Sequence, residues 1–167
     1  MSTLDRTTAP PPGPIRPMRF PEIHRARLDN DLAVLTAPHG ELPVATAMLV
    51  VDAGAAGDPA RKAGLAYLTA EALDTGTREH DAAALAWEIE RLGVELETFA
   101  SWDATVVRIT VPSDRLEPAL GIFAEIVRRP AFPSAEVERL RDEQLASLRQ
   151  RRKQPGALAS DMAAHFI

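Results

Sequence analysis

Residues 64–77 read Gly-Leu-Ala-Tyr-Leu-Thr-Ala-Glu-Ala-Leu-Asp-Thr-Gly-Thr. This segment predicts a short helix that is closed by Gly76, since glycine commonly ends helices. An apolar run and a glycine-rich turn precede it, and Asp58-Pro59 supplies a helix-start signal. Helix positions i, i+3, i+4 and i+7 lie on one face, so the spacing predicts a shared face for Tyr67, Ala70, Glu71 and Asp74.

The segment resembles the active-site helix of the insulinase/pitrilysin family of zinc metallopeptidases, in which G-x-A-H-x-x-E-H is followed by G-T. The matching residues are Gly64, Ala66, Gly76 and Thr77. The run from Gly54 to Pro59 is similar to the family's G-x-x-x-D-P lead-in. In such a helix two histidines at i and i+4 bind one zinc ion, and the glutamate between them acts as general base on the metal-bound water.

The resemblance places Tyr67 and Glu71 at the two histidine positions and Ala70 at the catalytic glutamate. A later charged segment, residues 137–147, is similar to the family's I-E-R-x-R-x-x-x-L-x-E and places Ser147 at the last zinc ligand. None of the four residues has the side chain that the chemistry needs. The sequence therefore predicts no catalytic, cofactor-binding or metal-binding residue, and the resemblance implies that zinc is held only by a catalytic partner.

A displaced metal site is not indicated elsewhere in the sequence. There is no cysteine, and no two of the four histidines stand at helical ligand spacing: His24, His39, His80 and His165. Oxygen ligands from Glu71, Asp74 and Glu143 remain an alternative, but solvated carboxylates are common on helices and no histidine supports them. We expect instead that the Tyr67 ring fills the volume of the lost metal, with its hydroxyl bonded to Glu71 or Ser147.

Composition sets broad limits on the function. The chain has 167 residues, 46% of them hydrophobic, with a net charge of −5 and a pI near 5.4. An acidic chain without a basic stripe does not favour nucleic acid as a partner, and the basic residues at 149–153 suit a solvated helix end. No run is long enough to span a bilayer and no signal peptide is evident, which predicts a cytoplasmic protein, or a periplasmic one if an upstream signal is missing.

The order of elements predicts an α+β fold, with an antiparallel or mixed sheet and helices packed on one side. Residues 1–20 are proline-rich and predict a disordered leader, and residues 21–167 resemble an insulinase-like N-terminal domain that is truncated at its C-terminal end. Hairpins are predicted at residues 23–35 and 94–111, and a central strand at residues 44–51.

Helix signals complete the pattern. Asp81 is expected to cap a helix that ends at Gly93, with Ala84, Leu85, Ile89 and Leu92 on its apolar face. Ser113 is expected to cap the next helix, whose apolar face would carry four residues: Leu116, Leu120, Phe123 and Val127. Pro155 is expected to begin the last helix, and Trp102 to cover the sheet edge from a turn.

The resemblance implies a function as well as a fold. The chain is similar to non-catalytic subunits of heterodimeric bacterial and mitochondrial processing peptidases, which pair with a relative that has an intact H-x-x-E-H and enclose a peptide substrate. Two alternatives remain. One is a structural core subunit of a membrane-associated complex of the cytochrome bc type, and the other is an independent zinc metalloendopeptidase, which would need ligands that this sequence lacks.

Overall fold

The computed structural model describes Gly13, residues 20–40 and residues 42–166. The predicted leader lies outside the described residues except for Gly13 and Phe20, so its disorder stays a prediction. The chain divides into two compact units, Met1–Leu42 and Pro43–Ile167.

The described part of the first unit is a β-hairpin. Strand β1, His24–Arg27, pairs antiparallel with β2, Ala33–Thr36. Its turn places Asp31 in the left-handed region at φ 65°, which aspartate tolerates better than most side chains. The Asn30 side-chain oxygen accepts a hydrogen bond from the backbone N–H of Leu32 at 3.2 Å. The predicted first hairpin is therefore confirmed.

The second unit is built on a three-stranded antiparallel sheet in the order β3, β5, β4. Its strands are β3, Val44–Val51; β4, Glu95–Ala100; and β5, Thr105–Pro112. The second predicted hairpin is confirmed as β4 and β5. The prediction that residues 44–51 form the central strand is wrong, because β5 pairs on both sides and β3 on one. The apolar run of β3 suggested a central strand, although half of its side chains lie on an exposed face.

Five helices accompany the sheet: α1, Leu65–Ala72; α2, Ala82–Leu92; α3, Leu116–Arg128; α4, Ser134–Arg151; and α5, Pro155–Phe166. The Asp81 carboxylate accepts a hydrogen bond from the Ala84 N–H at 2.8 Å, and Gly93 ends α2 in the left-handed region at φ 67°. Both predictions for α2 are confirmed. Pro155 begins α5 as predicted, because its ring suits the first helical turn.

Two local predictions about helix ends differ from the structure. Helix α1 ends at Ala72 rather than at Gly76, because the Thr75 hydroxyl donates to the Ala72 carbonyl at 2.8 Å and turns the chain. Ser113 does not cap α3 through its side chain. It begins a short 3-10 turn, Ser113–Arg115, and its backbone N–H donates to the Pro43 carbonyl.

The hydrophobic core lies between one face of the sheet and helices α1, α2 and α3. Strand β5 contributes Val107, Ile109 and Val111, which are almost fully buried. Seven helical residues pack on them or on one another: Leu73, Leu85, Ile89, Ala119, Ile122, Phe123 and Ile126. This arrangement confirms the α+β class with helices on one side of the sheet.

Not every predicted apolar position reaches this core. Leu120 on α3 and Ala84 on α2 are exposed, because the buried stripe of α3 runs through Ala119 and Ile126 and that of α2 through Leu85 and Leu92. Trp102 is 70% exposed and covers no sheet edge. The backbone of its turn, not its ring, makes the contact: Trp102 accepts a hydrogen bond from the Ala56 N–H at 2.8 Å.

Candidate functional site

The motif helix α1 owes its starting point to Asp58. One carboxylate oxygen accepts a hydrogen bond from the Gly64 N–H at 2.7 Å, and the other accepts one from Ala66 at 2.9 Å. The first N–H groups of a helix have no partner within the helix, so this side chain supplies what the helix lacks. Gly64 takes φ 92°, a backbone conformation that favours glycine. Asp58 therefore acts as the predicted start signal, although the helix begins at Leu65.

Helices α1 and α4 lie side by side and enclose a cleft of about 180 Å³. Its lining comes from both helices: Tyr67, Leu68, Glu71, Leu140, Glu143, Gln144 and Ser147. The structure thus brings together three of the four positions that match the family's zinc site, namely Tyr67, Glu71 and Ser147. The two elements that carry them are separated by more than sixty residues of sequence.

Ala70, the fourth position, does not line the cleft. It is 0% exposed and belongs to the buried side of α1. Viewed down the axis of α1, Ala70 lies to one side of Tyr67, whereas Leu68 and Glu71 lie to the other side. Leu68 and Glu71 therefore face α4, and Ala70 faces away from it. The predicted common face is therefore split: Tyr67 and Glu71 line the cleft, Ala70 lies in the protein interior, and Asp74 follows the end of α1 and is exposed.

Tyr67 lines the cleft without filling it. Tyr67 is 46% exposed, and the cleft beside it remains open. Within the part of the chain that the structure describes, the Tyr67 hydroxyl makes no hydrogen bond to Glu71 or Ser147. The predicted hydrogen bond is therefore not found, and the ring leaves the cleft open rather than filling it.

The carboxylates near the cleft are balanced by Arg139 on α4. Its guanidinium donates to Glu143 and to Glu136, each at 2.8 Å. Partial burial raises the pKa of Asp74, opposed by a hydrogen bond to its own backbone and by the positive charge of Arg139. Among residues 20–40 and 42–166, no three histidine, cysteine, aspartate or glutamate side chains are grouped closely enough to hold a metal ion. Glu71, Asp74 and Glu143 thus do not form a shared ligand set.

The cleft does not fit zinc. Catalytic zinc sites take three protein ligands, drawn mainly from histidine with aspartate, glutamate or cysteine, and leave one position for water. Here the corresponding side chains are a phenol, one carboxylate and a hydroxyl, with no imidazole beside them. Arg139 donates to Glu143, which also lines the cleft, and its positive charge further disfavours a cation there.

A second, more apolar groove of about 510 Å³ continues from this cleft and shares Leu68 and Gln144 with it. Leu65, Leu145 and Leu148 line it and are partly exposed. We made no prediction for this groove from the sequence. The signal was present in the leucines at 145 and 148 of a helix whose other residues are mostly charged.

One further cluster was missed from the sequence. Glu125 on α3 accepts hydrogen bonds from the Thr77 hydroxyl and from His80, whose Nδ1 lies 2.9 Å from Glu125 Oε1. His80 had been considered only as a possible zinc ligand. Nothing local in the sequence indicates a partner that lies 45 residues away.

The family profile described as "Insulinase (Peptidase family M16)" matches residues 34–165. The chain is 28% identical over 122 residues to the probable mitochondrial-processing peptidase subunit beta of Schizosaccharomyces pombe, covering 73% of this chain and 27% of that protein. It is 27% identical over 130 residues to subunit 1 of the bovine cytochrome b-c1 complex, covering 78% of this chain. In each case the chain spans 27% of the relative's length.

Solved structures show the same architecture. A structure from Pseudomonas fluorescens, described as a peptidase M16 inactive domain, superposes with a TM-score of 0.78 at 32% identity, covering 83% of this chain and 34% of that one. Pitrilysin superposes with a TM-score of 0.68 at 25% identity, covering 81% of this chain and 15% of that one. No helix within the described residues is long and apolar enough to cross a membrane. The profile covers most of the sequence, so this chain belongs to the insulinase family, peptidase family M16.

Proposed function

We propose that this chain is a non-catalytic M16 subunit that pairs with a relative carrying an intact H-x-x-E-H, and that the two enclose a peptide in a shared chamber. One observation carries the proposal. Tyr67, Glu71 and Ser147, which the sequence resemblance assigns to the family's zinc-ligand positions, line one cleft between α1 and α4. In this proposal the partner alone holds zinc.

The chemistry of the cleft supports binding rather than cleavage. Hydrolysis by this family needs a metal-activated water and a glutamate as general base. The position of that glutamate is taken by Ala70, which is buried and cannot reach a substrate. What remains in the cleft is an aromatic ring, the carboxylates of Glu71 and Glu143, the polar groups of Gln144 and Ser147, and apolar surface from Leu68 and Leu140. These groups can contact an extended peptide, but they do not include the glutamate base that the family's mechanism needs at the position of Ala70.

The relatives support a role within an assembly. The Schizosaccharomyces pombe relative is named as a beta subunit of the mitochondrial-processing peptidase. The bovine mitochondrial-processing peptidase subunit beta, a different protein from the bovine cytochrome b-c1 subunit, is 30% identical to this chain over 124 residues. The Pseudomonas fluorescens structure is described as an inactive domain. A subunit of an assembly agrees with the first description, and a domain without the zinc ligands agrees with the second.

A structural subunit of a larger complex is the second candidate. It is favoured by the similarity to subunit 1 of the cytochrome b-c1 complex. This role would use the same fold without any contact to a substrate peptide. The two candidates differ in one measurable respect, since only the first requires peptide cleavage to appear when a zinc-bearing M16 relative is added.

The test is zinc content by elemental analysis together with peptidase activity, for this chain alone and for its complex with an M16 subunit that carries H-x-x-E-H. We expect no zinc in the chain alone, and in the complex one zinc per partner with cleavage exceeding that of the partner alone. A Glu-to-Gln change in the partner's motif is the control, since it should abolish cleavage and leave the complex intact.

Two results would overturn the proposal. Stoichiometric zinc in the chain alone would restore the independent peptidase. A stable complex in which this chain leaves the partner's cleavage rate and substrate affinity unchanged would instead favour the structural subunit.

A further inference from the structure

The loop between α1 and α2 is held by a single side chain of α3. The Thr77 hydroxyl donates to Glu125 Oε1 and accepts hydrogen bonds from the backbone N–H groups of Glu79 and His80, at 3.2 and 3.0 Å. His80 Nδ1 contacts the same Glu125 oxygen at 2.9 Å. Thr77 is buried, and the Glu125 side chain is only 10% exposed. One carboxylate oxygen therefore joins two loop residues to the helix.

Backbone hydrogen bonds extend this connection to the segment that follows α3. The Arg78 N–H donates to the Arg129 carbonyl, and the Ala131 N–H donates to the Gly76 carbonyl, each at 3.0 Å. Thr77 also forms an isolated antiparallel bridge with Pro130. The loop follows α1 directly, so these bonds set where the C-terminal end of the motif helix lies.

The charges around His80 and Glu125 favour the ionised pair. The hydrogen bond to Glu125 raises the pKa of His80, and the negative charges of Glu125, Glu88 and Glu79 add to this effect although partial burial opposes it. Burial alone would raise the pKa of Glu125. The hydrogen bonds from Thr77 and His80 and the charges of His80 and Arg129 outweigh it, so this pKa is lowered.

The remaining charged groups near the loop belong to the adjoining cleft and to one surface ion pair. The cleft beside His80 is also lined by Arg78, Asp81 and Glu136. Glu79 forms an exposed ion pair with Arg129. The Asp81 carboxylate caps α2, and the Glu136 carboxylate accepts a hydrogen bond from Arg139. Glu125 thus remains the one carboxylate in the described residues that contacts the imidazole directly.

We propose that Thr77, His80 and Glu125 form a proton-controlled clasp, which fixes the loop between α1 and α2 to α3 and loosens when His80 loses its proton. Neutral histidine can still donate from Nδ1, but only in one tautomer and without a charge. The hydrogen bond to the Glu125 carboxylate then has one charged partner instead of two and loses the attraction of the ion pair, so deprotonation weakens the contact without abolishing it. Loosening frees the end of α1, which carries the cleft. The clasp does not depend on the proposed partner role.

The test is amide hydrogen exchange of the full chain by NMR over a pH series, corrected for intrinsic exchange, with the His80 ring proton followed in the same samples. We expect protection of the Thr77, Arg78 and Ala131 amides to fall about fivefold as His80 deprotonates. These amides should exchange faster than that of Val107 in the core strand, which marks a local opening. The Leu28 amide in the separate hairpin serves as the internal control.

His80→Gln should make the protection of the Thr77, Arg78 and Ala131 amides independent of pH, at the weaker level. His24→Gln, on the exposed hairpin strand, should leave the pH dependence of this protection unchanged. If His80→Gln does not fold, the unmodified chain decides the matter. The proposal is overturned if His80 titrates at or below the ordinary histidine value of 6.5. It is equally overturned if protection of the Thr77, Arg78 and Ala131 amides does not fall as His80 deprotonates, or if these amides exchange only when the Val107 amide exchanges.

Discussion

The Asp58 carboxylate accepts a hydrogen bond from the backbone N–H of Ala66 at 2.9 Å, eight residues further along the chain. Its other oxygen serves Gly64 at 2.7 Å. Asp58→Ala would leave both N–H groups of α1 unpaired in a half-buried setting. We expect it to lower the free energy of unfolding by about 1 to 2 kcal/mol, as measured by urea denaturation.

Asp52→Ala is the matched control for this change, since Asp52 is exposed just after β3 and makes no side-chain hydrogen bond in the described structure. It should change the free energy of unfolding by less than about 0.5 kcal/mol. Equal losses for the two variants would show that the cap contributes nothing specific.

Ala70→Glu would restore the family's catalytic residue type at a position that has no access to solvent. A buried carboxylate without a partner is costly, so we expect a loss of about 3 kcal/mol or more in the free energy of unfolding. Thr69→Glu, one residue earlier on the exposed side of α1, should cost less than about 1 kcal/mol. If both variants are equally stable, Ala70 is not in the core and the site has more room than the structure gives it.

Gly54 lies directly against the turn of the second hairpin. A Cβ at this position would come within 2.4 Å of the Ala104 nitrogen, the Asp103 carbonyl carbon and the Trp102 oxygen. All three are backbone atoms and cannot rotate away, so Gly54→Ala should lower the free energy of unfolding by about 1 to 3 kcal/mol. Gly57→Ala, with nothing within 4 Å of the added carbon, is the control. Thermal unfolding followed by circular dichroism would detect the difference.

The His80 and Glu125 pair makes stability depend on pH in a defined direction. The pKa of His80 is raised, so its stabilisation is fully present below its ordinary value of 6.5 and is lost as pH rises through the higher folded value. The pKa of Glu125 is lowered, so its stabilisation is present above its ordinary value of 4.5 and is lost as pH falls through the lower folded value.

The pair should therefore stabilise the fold most between pH 4.5 and 6.5. We expect Glu125→Gln to lower the melting temperature most within this window, and less at either side of it. Glu117→Gln at the exposed start of the same helix is a control. A melting-temperature difference for Glu125→Gln that is constant across the whole range would contradict the expected ionic contribution of this pair.

Local chemistry made much of the fold predictable. The two hairpins, the Asp81 cap, the Gly93 helix end and the start of α5 at Pro155 all depend on residues within a few positions of one another. The error about the central strand concerns longer-range order. An apolar run such as residues 44–51 has the same composition at the edge of a sheet as at its centre, and only the pairing of β5 with both neighbours decides between them.

The sequence by itself determined which side chains stand at the four positions that the resemblance assigns to the zinc site, namely Tyr67, Ala70, Glu71 and Ser147, of which only glutamate is a zinc-ligand type. Tertiary structure alone decided that Ala70 is buried while the other three line a cleft, since packing against the sheet fixes the rotation of α1. It alone also brought Glu125 to Thr77 and His80, across 48 and 45 residues. Contacts over such separations depend on how the helices pack, which no local pattern records.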